Sequence, residues 1–250
     1  MTPTATAPAA LALAPQPLAE LSAVVPVHDE AENVAGVVFA LCTVLPEVAR
    51  RWEVIVVDDG SRDGTDAVLA ELATGAPALR VVRHARNRGY GAALRSGFAA
   101  ARHDWIFLVD GDGQVDPQQL ADAVGALADH DGVIGYRTAR ADVLGRRLAT
   151  RLWNGLVRRL FGLRTRDVNC AFKLLPAALV RDEPLVSDGA VISAEMLVRA
   201  AQSDHRLAEV PVVYRPRLAG RASGAQPRVV ARAGMEIVRL YLQARRRERA

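Results

Sequence analysis

From Leu21 onward, short apolar runs alternate with longer amphipathic stretches. Ser22 to Val27, Glu53 to Val57, Leu79 to Arg83 and Trp105 to Val109 have the length and composition of strands. Between and after them, the spacing of apolar positions predicts helices over about Ala31 to Ala49, Gly64 to Ala73, Gly89 to Ala101 and Pro117 to Asp129. Such alternation predicts an α/β fold with a mostly parallel sheet flanked by helices, because parallel neighbours need long crossover connections. In these sheets ligands sit at the carboxyl ends of the strands. That rule gathers four polar clusters on one edge: His28-Asp29-Glu30, Asp58-Asp59, Asn87 and Asp110-Gly111-Asp112. Asp, Asn and Gly are also common in turns.

After Gly135 the alternation fades. Asp142 to Phe161 reads as a basic amphipathic helix, Ala190 to Gln202 as another, and Leu207 to Tyr214 as an extended segment interrupted by Pro211. The final helix, about Pro227 to Arg249, pairs Ile237, Leu240, Tyr241 and Leu242 with Arg239, Arg245, Arg246, Arg247 and Arg249. Two readings stand for it: packing on its own domain or a partner, or resting apolar side inward on an anionic membrane surface.

Residues 1–20 are rich in Ala, Pro, Thr and Leu, have no basic residue before the apolar part, and are broken by Pro8, Pro15 and Pro17. They read as a flexible tail rather than a signal peptide. The expected organisation is that tail, a domain over 21–224 and a basic C-terminal helix over 225–250. No run reaches the roughly 18 apolar residues of a membrane-spanning helix. The longest candidate, Gly36 to Leu45, meets Pro46.

Composition changes this picture little: 250 residues, half apolar and 24% charged, suit one sizeable domain. Cys42 and Cys170 form neither a disulfide framework nor a zinc-ligand spacing, so a cytoplasmic setting is expected, peripheral at the inner membrane face if the last helix docks there. Charge adds more. Residues 1–136 hold 9 Lys and Arg against 18 Asp and Glu, whereas residues 137–250 hold 23 against 10. An acidic half suits a metal or polyol site, and a basic half a phosphate or anionic surface.

Asp110 and Asp112 stand two apart at a predicted strand end, where extended geometry sends both side chains to one face. With the carbonyl of Gln114 they offer a hard oxygen set for Mg²⁺ or Mn²⁺ that leaves positions for substrate and water. Taken alone, the same triplet is compatible with a simple turn. Asp58 and Asp59, charged at the end of a buried strand, need a partner such as a sugar hydroxyl, an arginine or a helix terminus. Asp63 reads as a helix cap. Lys173 is the only lysine in the chain, and the absence of a Gly-Lys pair excludes a Walker-type phosphate loop.

In order, the chain carries Val25-Pro26-Val27-His28-Asp29-Glu30, Val57-Asp58-Asp59-Gly60-Ser61-Arg62-Asp63-Gly64-Thr65, Asn87-Arg88-Gly89-Tyr90-Gly91 and Asp110-Gly111-Asp112-Gly113-Gln114. Together these motifs resemble family-two glycosyltransferases, and among them the dolichyl- or polyprenyl-phosphate sugar transferases. The resemblance covers about residues 21–224. It implies a GT-A (nucleotide-diphospho-sugar transferase) fold, donor binding by Pro26, Glu30, Asp58 and Asp59, and metal binding by Asp110, Asp112 and Gln114. The donor implied is a GDP- or UDP-hexose.

Further on, Gly135-Tyr136-Arg137 looks like that subgroup's Gly-x-Arg element, and Arg147, Thr150 and Asn154 match its Arg, hydroxyl residue and Asn. The resemblance thus adds Arg137 and Asn154 to the binding residues. Asp167 to Lys173 stands where those enzymes carry Asp, a small polar pair and Phe-Arg that helps hold the lipid phosphate. Here Cys170-Ala171 replaces the pair and Lys173 the arginine, and lysine binds phosphate as a point charge without a bidentate fork. Arg217 and Gly220 match a later Arg-x-x-Gly element, with Ser223 one residue late.

The implied activity is hexose transfer by single displacement, hence inversion, with Asp112, Lys173 and Arg217 as catalytic residues. The acceptor expected is polyprenyl phosphate, whose anionic phosphate needs no general base. Catalysis then reduces to positioning and to stabilising the departing diphosphate with the metal, Arg217 and Arg221. A hydroxyl acceptor needs a carboxylate base, for which Asp188 and Glu195 are candidates. Transfer to a soluble small molecule and a non-catalytic binding protein of the same fold are the alternatives; nucleic acid is not an expected partner. A dinucleotide-binding oxidoreductase needs Gly-x-Gly-x-x-Gly after the first strand, where His28-Asp29-Glu30 stands instead.

Overall fold

The computed structural model describes residues 17–138, 144–183, 185–216 and 227–247. The first apolar run becomes β1 (Leu18–Val27), which begins inside the segment read as a tail and is buried from Leu21 to its end. It is buried because it has parallel partners on both sides, β2 (Ala49–Asp58) and β4 (Trp105–Leu108). β3 (Leu79–Arg83) adds to the outer side of β2, again parallel. β1, β4 and the second half of β2 are covered on both faces, which is why they read as continuous apolar runs, whereas the edge strand β3 alternates between buried and more exposed positions.

The second half also builds sheet, where the sequence showed fading alternation and one extended segment, Leu207 to Tyr214, which contains one of its strands. β5 (Gly132–Arg137), β6 (Lys173–Pro176) and β7 (Leu207–Val212) complete a seven-stranded sheet of order β3-β2-β1-β4-β6-β5-β7. β6 runs antiparallel to both β4 and β5, while β5 and β7 are parallel. The sheet is therefore mostly parallel, as expected, with one reversed strand. β6 is four residues long and carries a lysine and a proline, which left its sequence without a strand signature.

Helices cover both faces. α1 (Val34–Val48) turns Val34, Val37, Val38, Leu41, Val44, Leu45 and Val48 inward at helical spacing, and Pro46 is accommodated within its last turn. α2 (Thr65–Gly75) and the short α4 (Leu120–Val124) join it against Leu21, Ala23, Val25 and Val27 of β1. On the opposite face, α3 (Tyr90–Ala100), α5 (Leu144–Phe161), α6 (Ala178–Arg181), α7 (Ile192–Gln202) and α8 (Pro227–Arg247) pack with Val24, Ile55 and Val57. The odd and even positions of β1 thus feed two separate cores, as the strand period demands. The helix expected over Pro117 to Asp129 is broken: 3₁₀ turns at Pro117–Gln119 and Gly125–Ala128 flank α4.

α8 packs on its own domain through Ile237, Leu240 and Ala244, while Met235, Val238 and Leu242 are exposed. Among the described residues no helix is long and apolar enough to cross a membrane.

Candidate active site

β1 lies between β2 and β4, so the chain departs from it first to one side and later returns to the other. At such a switch the loops diverge and leave a crevice beyond the strand ends. The loops after β1 and β2 are laced together at its rim. The Asp29 N–H donates to Ser61 Oγ (3.0 Å), the Glu30 N–H to Thr65 Oγ1 (3.0 Å) and the Ala31 N–H to Asp63 Oδ2 (3.0 Å), while Asp29 Oδ1 accepts from the Arg62 N–H (2.8 Å). Asp63 also caps the start of α2, accepting the Thr65 N–H at 3.0 Å. Glu30 is buried and its Oε2 accepts from Asn33 Nδ2 (2.7 Å). Pro26 lies in β1, and its carbonyl accepts the Gly111 N–H at 3.3 Å, tying the first strand to the turn after β4.

Asp58 and Asp59 part company. Asp58 is fully buried; its Oδ1 accepts the Ser61 N–H (2.9 Å), but among the described residues its Oδ2 has no hydrogen-bond partner and only Arg83 Nε at 3.5 Å. Next to it, since Val27 is in register with Asp58, His28 Nδ1 is likewise buried without a partner. Two orphaned polar atoms at the ends of adjacent strands are what a ligand with hydrogen-bonding edges satisfies. Asp59 is engaged on both oxygens instead. Its Oδ1 accepts the Arg88 N–H (2.9 Å) and meets His84 Nδ1 (2.6 Å), and its Oδ2 accepts the Gly89 N–H (2.8 Å). The pair expected to bind donor together therefore divides into one buried carboxylate with an unsatisfied oxygen and one that holds the loop before α3.

β4 ends at Leu108, so Asp110 and Asp112 lie in the following turn rather than in extended chain. Gly111 keeps that turn tight against β1, since a Cβ there would stand 2.3 Å from Val27 Cγ1. Burial and the neighbouring Asp112 charge push the Asp110 carboxyl up to about 7, against the hydrogen bond that Tyr90 Oη donates to Asp110 Oδ1 at 2.9 Å. Asp112 Oδ1 accepts the Gln114 N–H at 3.0 Å. Two crowded carboxylates relieved by one phenol carry the negative charge that a hard divalent cation neutralises, so the donor set fits Mg²⁺ or Mn²⁺. Among the described residues no third His, Cys, Asp or Glu joins them, which leaves coordination to substrate and water. Gln114 is engaged elsewhere: its backbone carbonyl accepts the Arg215 N–H (2.7 Å) and its Oε1 accepts from Tyr214 Oη (2.7 Å). It latches the segment after β7 over the turn.

The expected acceptor-side residues form a buried lattice. Arg137, at the end of β5, makes a bidentate pair with Asp167 (Nε to Oδ2 2.6 Å, Nη2 to Oδ1 2.8 Å) and lies 5.2 Å from the Tyr214 ring centroid. Asn154 of α5 spends its amide on the same loop, donating to the Arg166 carbonyl (3.2 Å) and accepting the Val168 N–H (3.3 Å). Lys173 is 1% exposed and donates to the carbonyls of Val168 and Cys170. Burial pushes its ammonium below the ordinary value. It cannot reach an acceptor phosphate from there; β6 carries it into the interior, where it shapes the loop from Asp167 to Cys170. Arg217 and Arg221 lie outside the described residues.

Neither candidate base is free for that task. Glu195 is buried, with its two oxygens accepting the Val186 and Ser187 N–H groups (2.9 Å each). Asp188 is held below the ordinary carboxylate range by its hydrogen bond and ion pair with Arg95, and further by Arg232. Sequence reasoning had given no role to Tyr90, His28 or Tyr214. Tyr90 stood within a quoted motif, but nothing in the spacing says that its ring reaches the end of another strand.

A sequence model described as glycosyl transferase family 2 matches residues 22–187. The dodecaprenyl-phosphate galacturonate synthase of Rhizobium johnstonii is 34% identical over 174 residues, covering 68% of this chain and 51% of that protein. The undecaprenyl-phosphate 4-deoxy-4-formamido-L-arabinose transferase of Pseudomonas fluorescens is 32% identical over 205 residues, covering 76% and 60%. The chain thus spans about half to three fifths of the length of these curated relatives. Among solved structures, glucosyl-3-phosphoglycerate synthase of Mycobacterium tuberculosis with Mn²⁺, uridine diphosphate and glucosyl-3-phosphoglycerate superposes with a TM-score of 0.68 at 21% identity, covering 90% of this chain and 79% of that one. Mannosyl-3-phosphoglycerate synthase of Rubrobacter xylanophilus gives 0.67 at 20% identity, covering 91% and 74%. These two likenesses are likenesses of fold.

Proposed function

Because the chain belongs to glycosyl transferase family 2, we propose that it is an inverting, metal-dependent hexosyltransferase that moves a sugar from a nucleoside diphosphate donor to polyprenyl phosphate. The observation that carries this reading is the crevice between β1 and β4, where Asp110 and Asp112 crowd on one side and the orphaned Asp58 and His28 atoms lie on the other. Asp58 and His28 would meet hydrogen-bonding edges of the donor's nucleoside. Asp110 and Asp112 would hold Mg²⁺ or Mn²⁺, which when bound neutralises charge on the departing diphosphate.

The remaining residues bind and orient. Asp59 keeps the Arg88-Gly89 turn in place, and the Arg137–Asp167 pair with Lys173 keeps the acceptor-side loop in place. A phosphate acceptor is favoured because it brings its own negative charge, whereas Glu195 and Asp188 are both occupied and neither serves as a general base for a hydroxyl. The names of the two curated relatives, both transferases or synthases of polyprenyl-phosphate sugars, support the same acceptor. Peripheral contact with a bilayer at its cytoplasmic face belongs to this reading, through the outer side of α8 where Met235, Val238 and Leu242 stand exposed beside Arg239 and Arg246.

The test is to incubate the chain with Mn²⁺ or Mg²⁺ and radiolabelled UDP- or GDP-hexoses, offering undecaprenyl phosphate in vesicles or a phosphorylated hydroxy acid in solution. Label in the organic phase, reduced on the order of 10²–10³-fold by Asp110→Asn, is the expected result. Label only on the soluble acid replaces the acceptor, and no transfer from any donor to either acceptor overturns the reading.

A further inference from the structure

A chain of hydrogen bonds runs from α8 through the segment 187–189 and the start of α3 to Asp110. Glu236 of α8 is buried and accepts the N–H groups of Asp188 (3.3 Å) and Gly189 (3.2 Å). Arg232, one turn earlier, bridges Glu236 Oε1 (3.0 Å) and Asp188 Oδ2 (2.7 Å). Glu195 of α7 fixes the same segment from the other end through the Val186 and Ser187 N–H groups. Residues 186–189 are therefore clamped between two carboxylates on two helices.

That segment in turn lies directly on the start of α3. The Asp188 carbonyl accepts the Gly91 N–H at 2.7 Å. A Cβ on Gly91 would stand 2.3 Å from the Ser187 carbonyl oxygen, and one on Gly89 2.8 Å from that of Asp188. Backbone meets backbone with no side chain between, so a shift of 187–189 is a shift of Gly89 to Gly91. From the opposite side Asp59 grips the Arg88 and Gly89 N–H groups. Tyr90 sits between these pinned neighbours, and its phenol is the donor on Asp110 Oδ1 (2.9 Å).

We infer that α8 is a working part of the metal site: Glu236 and Arg232 are positioning residues that set the 187–189 segment, through it Tyr90, and through Tyr90 the aim of the Asp110 carboxylate. This rests on the reading of Asp110 and Asp112 as ligands of a divalent ion. It gives the C-terminal helix a role beyond the packing of its buried Ile237 and Leu240 on the core. It also means that whatever engages the outer face of α8 acts on the same helix that carries Glu236.

The experiment measures Mn²⁺ affinity with uridine diphosphate present, from the loss of the free-ion electron paramagnetic resonance signal, so that no sugar transfer is required. The variants are Tyr90→Phe, Glu236→Gln and the two combined, each checked for thermal unfolding. Tyr90→Phe is expected to weaken Mn²⁺ binding about two- to tenfold, the worth of one hydrogen bond. Glu236→Gln is expected to weaken it in the same direction, and the double variant no further than Tyr90→Phe alone, because the helix acts only through that phenol. If Glu236→Gln lowers the melting temperature by more than a few degrees, Arg232→Met replaces it, leaving both Glu236 contacts to the backbone intact. Affinity unchanged in either single variant, or effects that add in the double, overturns the inference while leaving the metal site standing. A wild-type chain that binds no Mn²⁺ removes the metal site itself, and the inference with it.

Discussion

Lys173 carries its ammonium into the interior, where two main-chain carbonyls receive it and burial lowers its proton affinity. A buried charge of this kind is tolerated when its donors are satisfied, and removing one partner exposes the cost of leaving the other unpaired. Lys173→Met keeps the length of the side chain but strands the Val168 and Cys170 carbonyls, so it should lower stability by about 1–3 kcal/mol in urea unfolding at neutral pH. A lysine that met an acceptor phosphate would behave oppositely, with stability retained and acceptor KM raised. At this scale the sequence marked Asp58, Asp110 and Asp112 as site residues, and the structure places them at the carboxyl ends of β2 and β4. It could not separate Asp58 from Asp59, because adjacent residues leaving a strand point opposite ways and only the surrounding loops decide which oxygens find partners.

Helices reach their positions in this fold through particular small residues. α3 lies against β1 and β2 at Gly97, where a Cβ would stand 2.4 Å from Val24 Cγ1 and 3.1 Å from Val57 Cγ2. Both valines are fully buried in central strands and are stiff at χ1, so neither can yield. Gly97→Ala should therefore destabilise by about 1–3 kcal/mol through overpacking. Gly36 in α1 is exposed with nothing within 4 Å of its would-be Cβ, and the same substitution there should stabilise by about 0.5–1 kcal/mol. Paired thermal melts of the two variants, shifting in opposite directions, check both. The first four strands and the helices between them were legible because their apolar runs are long and periodic. β5 and β6 were not, since six residues with two glycines and four with a lysine and a proline carry no period to read.

Across the whole molecule, the strand edge opposite the crevice is tied together by carboxylates, chief among them Glu53, with Glu20 of β1 pairing with Arg51 and His103 beside it. Glu53 of β2 accepts Ser22 Oγ of β1 (2.8 Å), Arg80 Nη1 of β3 (2.9 Å) and the Arg102 N–H before β4 (2.8 Å), so it joins all four parallel strands. Burial pushes its carboxyl up, but the hydrogen bonds from Arg80, the Arg102 N–H and Ser22 outweigh it and hold the group below its ordinary 4.5. A depressed folded value contributes stability that is present above 4.5 and lost as pH falls through the lower folded value. The urea midpoint of Glu53→Gln should thus fall furthest below wild type near pH 7, and the gap should close as pH falls below about 4.5. The sequence by itself determined the strand-helix alternation, the mostly parallel sheet and the edge on which its acidic clusters gather, because periodicity and turn chemistry are local properties of the chain. Only the tertiary structure decided that Lys173 turns inward and Asp59 is taken up by the Arg88-Gly89 turn, that β6 runs backwards between β4 and β5, and that a helix near residue 236 bears on a carboxylate at residue 110. Those outcomes depend on which distant segments share a surface, and that follows from packing long-range neighbours together rather than from any stretch of sequence read alone.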